Sequence, residues 1–283
     1  MSDLKLNNVT PDGIGKIKLG SSDVSKIYSG STLVWPSEPS GCYGYEFADK
    51  AELRTAVALW ISDEAQAIAT YGQINTWCTG NITDMSYLFN GKTTFNSDIS
   101  NWDVSNVTTM QGMFTGASSF NKDLNFWDVS NVTNIDQMFG LASSFNGNIS
   151  SWDVSNVVSM VYLFKDSPFN QDISNWDVSN VTSMYGMFSG AGSFNIDISN
   201  WDVSSVTSMS YMFGAFSGTP TPSIFNKDVS SWDVSNVIYM SSMFANAVDF
   251  NQDLSGWDVN NVTGYNNFDS GATSWILPKP NFI

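Results

Sequence analysis

The sequence predicts an α/β solenoid of about eight stacked rungs, preceded by a small β domain and a helical cap. Three observations predict it. A tryptophan recurs at Trp77, Trp102, Trp127, Trp152, Trp176, Trp201, Trp232 and Trp257, at spacings of 25, 25, 25, 24, 25, 31 and 25 residues. A fixed period in this range marks units that bury their apolar faces only against their neighbours. Within one unit, Leu124-x-x-Trp127-x-Val129 ends in the period-two alternation of a short strand. Val132, Ile135 and Met138-Phe139 follow at steps of three and four, the period of a helical or 3₁₀ segment with one buried face. Each rung is therefore expected to hold one short strand, one short helical segment and a return through Phe-Asn. The Trp-Asp dipeptide excludes itself as a β-propeller mark, because propeller blades recur at about 40–45 residues.

The elements follow in order. Residues 1–37 form the small β domain. GKIKLGSSDVSKIYSGSTLVWP (15–36) alternates apolar positions between Gly-Ser breaks and predicts three short strands. Residues 38–76 hold a linker and a helical cap. Pro36-Ser-Glu-Pro39-Ser-Gly41 reads as linker. Asp49-x-x-Glu52 is a capping box, and Leu53, Ala56, Val57 and Trp60 lie on one helical face. Ser62 to Tyr71 predicts a second short helix ending at Gly72. The repeats fill residues 77–268. Residues 269–283, with Trp275 and Ile276, shield the last rung from water.

The opening residues of each repeat are read as structural. Trp102, Trp127, Trp152, Trp176 and Trp201 form a core column, with Val104, Val107, Met110 and Phe114 beside it. Asn106, Asn131, Asn156 and Asn180 form another, expected to point inward and bond the backbone of the turn after the strand. A second Asn column begins at Asn96 and Asn121 and is expected to do the same at the other corner.

Composition narrows the function. The 283 residues carry a formal charge of −16. Between positions 80 and 270 there are 18 acidic residues and 4 lysines. Such a surface repels nucleic acid and anionic membrane, so neither is an expected partner. No stretch approaches the roughly 18 apolar residues of a membrane helix. The start, MSDLKLNNVTPDG, lacks the basic and apolar regions of a secretion signal. The chain has no histidine, which removes His-Cys zinc sites and His-based triads. Cys42 and Cys78 are the only cysteines and form one possible disulfide.

The repeats resemble the BspA-like leucine-rich repeats of surface proteins in Mycoplasma, other bacteria and protists. FNIDISNWDVSSVTSMSYMF (194–213) carries the pattern, with Ser205 in place of an Asn, and the resemblance covers roughly residues 77–268. It implies a surface-exposed binding or adhesion module without catalysis. The segment 15–36 is similar to short β segments in virion proteins of tailed phages. That likeness implies attachment to a particle through other virion proteins, and a virion or extracellular location.

Asp103, Asp128, Asp153, Asp177 and Asp202 lie between inward residues and face out. One reading is a cation bridging neighbouring carboxylates. The reading preferred is that each Asp caps its own D-x-S-N turn, with no metal and no cofactor. A repeat gives every Asp nearly one environment, whereas a catalytic carboxylate pair needs two; no enzymatic activity is expected. Binding residues are sought where repeats differ. Tyr162 and Tyr211, expected to be exposed, precede Met-Phe-type pairs and suit a sugar or a protein surface. The insertion GAFSGTPTPSI (214–224) offers Phe216, Thr219 and Thr221. The expected function is a non-enzymatic, virion-associated adhesion protein that recognises a host surface protein or glycan. The alternatives are a purely structural virion component and a cellular adhesin.

Overall fold

The computed structural model describes four short N-terminal strands, Cys42 and residues 44–215 and 221–282. The strands are β1 (Ile17–Leu19), β2 (Ser22–Val24), β3 (Ile27–Ser29) and β4 (Thr32–Trp35). They pair as two antiparallel hairpins, β1 with β2 and β3 with β4. Four strands replace the three expected, because the middle apolar group divides between β2 and β3.

The cap contains α1 (Lys50–Ser62), α2 (Glu64–Tyr71) and a 3₁₀ turn, Ile74–Thr76. Asp49 caps α1 by accepting from the Glu52 amide at 2.9 Å. Glu52 returns not to Asp49 but one residue earlier, accepting from the Ala48 amide at 2.9 Å. Leu53, Ala56, Val57 and Trp60 are buried along α1. Gly72 ends α2 at φ +76°, a conformation glycine adopts freely. Trp60 and Phe47 pack on Trp77, with ring centroids 5.8 and 5.2 Å away. A disulfide joins Cys42 to Cys78.

From Trp77 onward, each repeat lies on the next. Asp84, Thr109, Asn134, Ser159, Ser183, Ser208, Tyr239 and Gly264 form one line of parallel bridges along the stack. Beside it, alternate amides pair as in a parallel ladder. Met85, Tyr87, Phe89 and Gly91 donate to the carbonyls of Thr109, Gln111, Met113 and Thr115 at 2.8–3.0 Å. The next repeat does the same from Met110, Gly112, Phe114 and Gly116.

The expected strand and helical segment within each rung are absent among the described residues. The α and 3₁₀ helices there all precede the first repeat, and each repeat is built of turns joined by single bridges. Trp127 donates to the Leu124 carbonyl and Val132 to the Val129 carbonyl, each three residues back. A run of such turns spaces apolar residues by three, so it imitates a helical period. Residues at positive φ then break any helix. Gln137 at +58° and Leu141 at +59° stand within and just after the segment expected to be helical.

The core is a set of aromatic rows. Phe114, Phe139, Phe164, Phe188 and Phe213 stack along the repeats at 5.6–5.8 Å. Phe120, Phe145 and Phe169 run beside them at 5.9 Å. Within a repeat the two rows touch, as at Phe139–Phe145, 3.8 Å. Trp275 closes the far end by packing edge-on against Phe250 at 4.7 Å. Ile276, expected to share that role, is instead 85% exposed. Its amide and that of Leu277 bond the Asn251 side chain, which turns the Ile276 side chain outward.

Candidate functional site

The repeated polar residues serve the stack. The indole of Trp127 donates to the Ile99 carbonyl of the preceding repeat at 3.1 Å. Trp102, Trp152, Trp176 and Trp201 make equivalent bonds. Asn106, Asn131, Asn156 and Asn180 are exposed, not inward. Their amides reach back to the preceding repeat, donating to Gly80, Ser105, Ser130 and Ser155 carbonyls at 2.7–2.8 Å. The bond expected within a turn is therefore a bond between repeats. The reason is the parallel stacking, which brings that carbonyl closer than any in the same turn. The second Asn column forms a similar ladder. The Asn96, Asn121 and Asn146 side chains accept from the amides of Asn121, Asn146 and Asn170.

Each carboxylate of the Asp column is held by its own turn. Asp103, Asp128, Asp153, Asp177 and Asp202 all accept from the amide and hydroxyl of the serine two residues on, at 2.6–3.1 Å. The Ser179 hydroxyl, then its amide, holds Asp177 below the usual carboxylate range, against a small opposing effect of burial and of Asp153. Asp172 and Asp197, four residues before the tryptophan of their repeats, are lowered by Ser174 and Ser199, the serine amide first and then its hydroxyl. Among the described residues, no group of three or more Cys, Asp or Glu side chains is placed to hold a metal.

The tyrosines stand where repeats differ. Tyr87, Tyr162 and Tyr211 occupy one position in three repeats, all at positive φ of 55–60°. That conformation is uncommon for a bulky residue, and the ladder of amides holds it. The following repeats make room for two of the rings. Gly112 and Gly186 also have φ +60°, and a Cβ on either would stand 2.4 Å from a ring carbon of Tyr87 or Tyr162.

Tyr162 and Tyr211 are half-buried, not exposed as expected. The cause is Tyr185, on the repeat between them. Its ring meets Tyr162 edge-on at 5.1 Å and Tyr211 at 5.7 Å. Burial first, then a hydrogen bond with Tyr185, pushes the Tyr162 phenol well above its usual range. Beside Tyr162 lies a groove of about 380 Å³ lined by Thr115, Gln137, Gly140, Leu141, Tyr162 and Lys165. The Lys165 ammonium is 5.9 Å from the Tyr162 ring centre and 2.6 Å from an Asp166 carboxylate oxygen. Leu141, 49% exposed, adds an apolar wall.

Sequence reasoning thus found Tyr162 and Tyr211 but missed Tyr185, Leu141 and Lys165. Tyr185 stands one position before Tyr162 and Tyr211 in the repeat. Aligning repeats by column separates it from them; aligning them in space unites them. Thr221 is exposed and lies against Gly192, where an added Cβ would meet its methyl at 2.1 Å. Phe216 and Thr219 lie outside the described residues.

The family described as "Mycoplasma protein of unknown function, DUF285" matches the chain twice, over residues 61–168 and 163–277. No curated protein and no solved structure matches it.

Proposed function

The chain belongs to the DUF285 family, and from that premise we propose that it is a non-enzymatic binding protein whose repeats form a leucine-rich-repeat-type solenoid displaying a recognition face. The observation that carries the reading is the groove at Tyr162. It joins an aromatic ring, an apolar wall, an amide, a hydroxyl and an ammonium in one concave place. That mixture suits a sugar ring or a protein side chain: the ring and Leu141 take an apolar face, and Gln137, Thr115 and Lys165 bond polar groups. The repeating carboxylates, all bonded alike, support a role in structure rather than in acid–base chemistry.

The setting we propose is a virion, with the two N-terminal hairpins attaching the protein to a particle and the repeats facing a host surface. This part rests on the resemblance of residues 15–36 to virion proteins. The test uses a 38–283 fragment fused to a reporter, alongside the full chain. The full chain is expected in purified particles and the fragment on host cells. Tyr162→Ala with Leu141→Ser is expected to reduce cell binding at least tenfold while the circular dichroism spectrum is unchanged. A folded fragment without affinity for any host surface would leave the purely structural virion role in its place.

A further inference from the structure

A second groove lies at the opposite end from Trp275, between α1 and the first repeat. It encloses about 200 Å³ and is lined by Arg54, Ala58, Tyr87, Leu88, Asn90 and Lys92. Arg54 is the chain's only arginine. Lys50, one helical turn before it, is already engaged with Asp84 at 2.9 Å and the Ser86 hydroxyl at 2.6 Å. Arg54 and Lys92 differ from it. Among the described residues, neither side chain forms a hydrogen bond or an ion pair. A protein of net charge −16 thus brings two cations to the walls of one small groove, neither of them paired among the described residues.

We propose that this groove binds a saccharide that carries a carboxylate. The Arg54 guanidinium presents two parallel N–H donors to a carboxylate, and Lys92 adds a point charge. Tyr87, 46% exposed and settled over Gly112, offers aromatic surface to the apolar side of a sugar ring. The Asn90 amide bonds hydroxyl groups as donor and acceptor. Two features select this ligand over other anions. The groove is smaller than the ~300 Å³ at which drug-sized pockets begin, so it suits one ring. A polyanion such as nucleic acid would extend beyond the groove over a protein of net charge −16 and be repelled; a single carboxylate needs only the two cations. The site is independent of the Tyr162 groove and stands whether or not that groove recognises a host.

The full-length protein, titrated with methyl glucuronide, N-acetylneuraminic acid, methyl glucoside and acetate by ligand-detected NMR, tests this. At least one acidic sugar is expected to bind ten times more tightly than both the glucoside and acetate. Arg54→Ala with Lys92→Ala should lower that affinity at least tenfold, and Arg54→Lys should lower it by less. Arg54 is exposed and Lys92 half-buried, so both variants are expected to keep the wild-type melting temperature. Tyr162→Ala should have no effect on this binding. The proposal is overturned if neither acidic sugar binds, if the glucoside or acetate binds equally well, or if the folded double variant retains full affinity.

Discussion

Trp152 shows why the recurring aromatic is an indole. The residue is 4% exposed, and its ring stacks 6.5 Å from that of Trp127 and 6.4 Å from that of Trp176. A phenyl ring would also stack there, but the indole adds a second donor to the Leu124 carbonyl, at 2.8 Å, beside the Trp127 amide. Trp152→Ala is expected to cost about 3–5 kcal/mol, as for other large buried aromatics. Trp152→Phe should cost about 0.5–1.5 kcal/mol from the lost bond, because the Leu124 carbonyl keeps only its second donor, the Trp127 amide. Chemical denaturation measures both, and a Phe variant as stable as wild type would show that the indole bond adds nothing. The aspartates supply a pH dependence. The pKa values of Asp98, Asp172, Asp177 and Asp197 are depressed in the folded state by hydrogen bonds from serine. A depressed folded pKa contributes stability above the unfolded value of about 3.9 and loses it as pH falls through the folded one. The melting temperature should therefore hold at neutral pH and fall below about pH 4. Ser179→Ala removes the hydroxyl that lowers Asp177 most, so carbon-detected NMR should show that carboxyl titrating at higher pH. Because serines already occupy these carboxylates, adding chelator or millimolar Ca²⁺ should leave the melting temperature unchanged. A shift abolished by Asp153→Asn and Asp177→Asn would make the column a cation site.

Among the elements, the cap is the one built from helices, and it depends on a covalent tie. Cys42 and Cys78 close a loop of 36 residues that contains α1 and α2. Removing a crosslink of this length is expected to cost about 3–4 kcal/mol in the chain-entropy account. Cys42→Ser with Cys78→Ser should lose that amount in urea denaturation, and the wild type should match the variant once reduced. The loss should concentrate in the cap. Hydrogen exchange is expected to quicken in α1 and at Trp77 before it quickens at Trp152. The cap's composition explains this order. α1 buries four side chains on one face, and α2 buries Ala67 alone, so the helices depend on the first repeat more than it depends on them.

At the scale of the molecule, stability grows along one direction. Every repeat meets only the one before and the one after, through the same three ladders of Trp, Asn and backbone bonds. Such an assembly tolerates the loss of a whole interior unit if the register is kept. Deleting residues 127–151 joins Phe126 to Trp152 and brings Gly112 beneath the repeat that carries Tyr162. Both faces keep their aromatic rows. The shortened chain is expected to fold cooperatively with a denaturant slope lower by roughly a tenth, since that slope follows the surface exposed. Deleting residues 127–139 breaks the register and should abolish cooperative unfolding. Equal loss in the two deletions would show that the repeats do not act as interchangeable units.

The period of 25, the Trp, Phe and Val columns and the helical face of α1 were legible in the sequence, because burial follows from apolar character repeated at fixed spacing. The same is true of the serines that bond the Asp column, since those partners lie two residues away. What lay beyond one repeat was not legible. Asn106 and Asn131 are exposed and bond backward to the preceding repeat, a partner 26 residues distant that no local pattern announces. Val132, Ile135 and Met138 keep a helical spacing without a helix, because turns of three residues give the same recurrence and the left-handed backbone at Gln137 is invisible in a residue's identity. Tyr162 and Tyr211 were legible as variable positions, but Tyr185, which half-buries both, sits in a different column. Only the stacking of one repeat on the next decided these, because these partners are set by the 25-residue offset between repeats in space and not by neighbours in sequence.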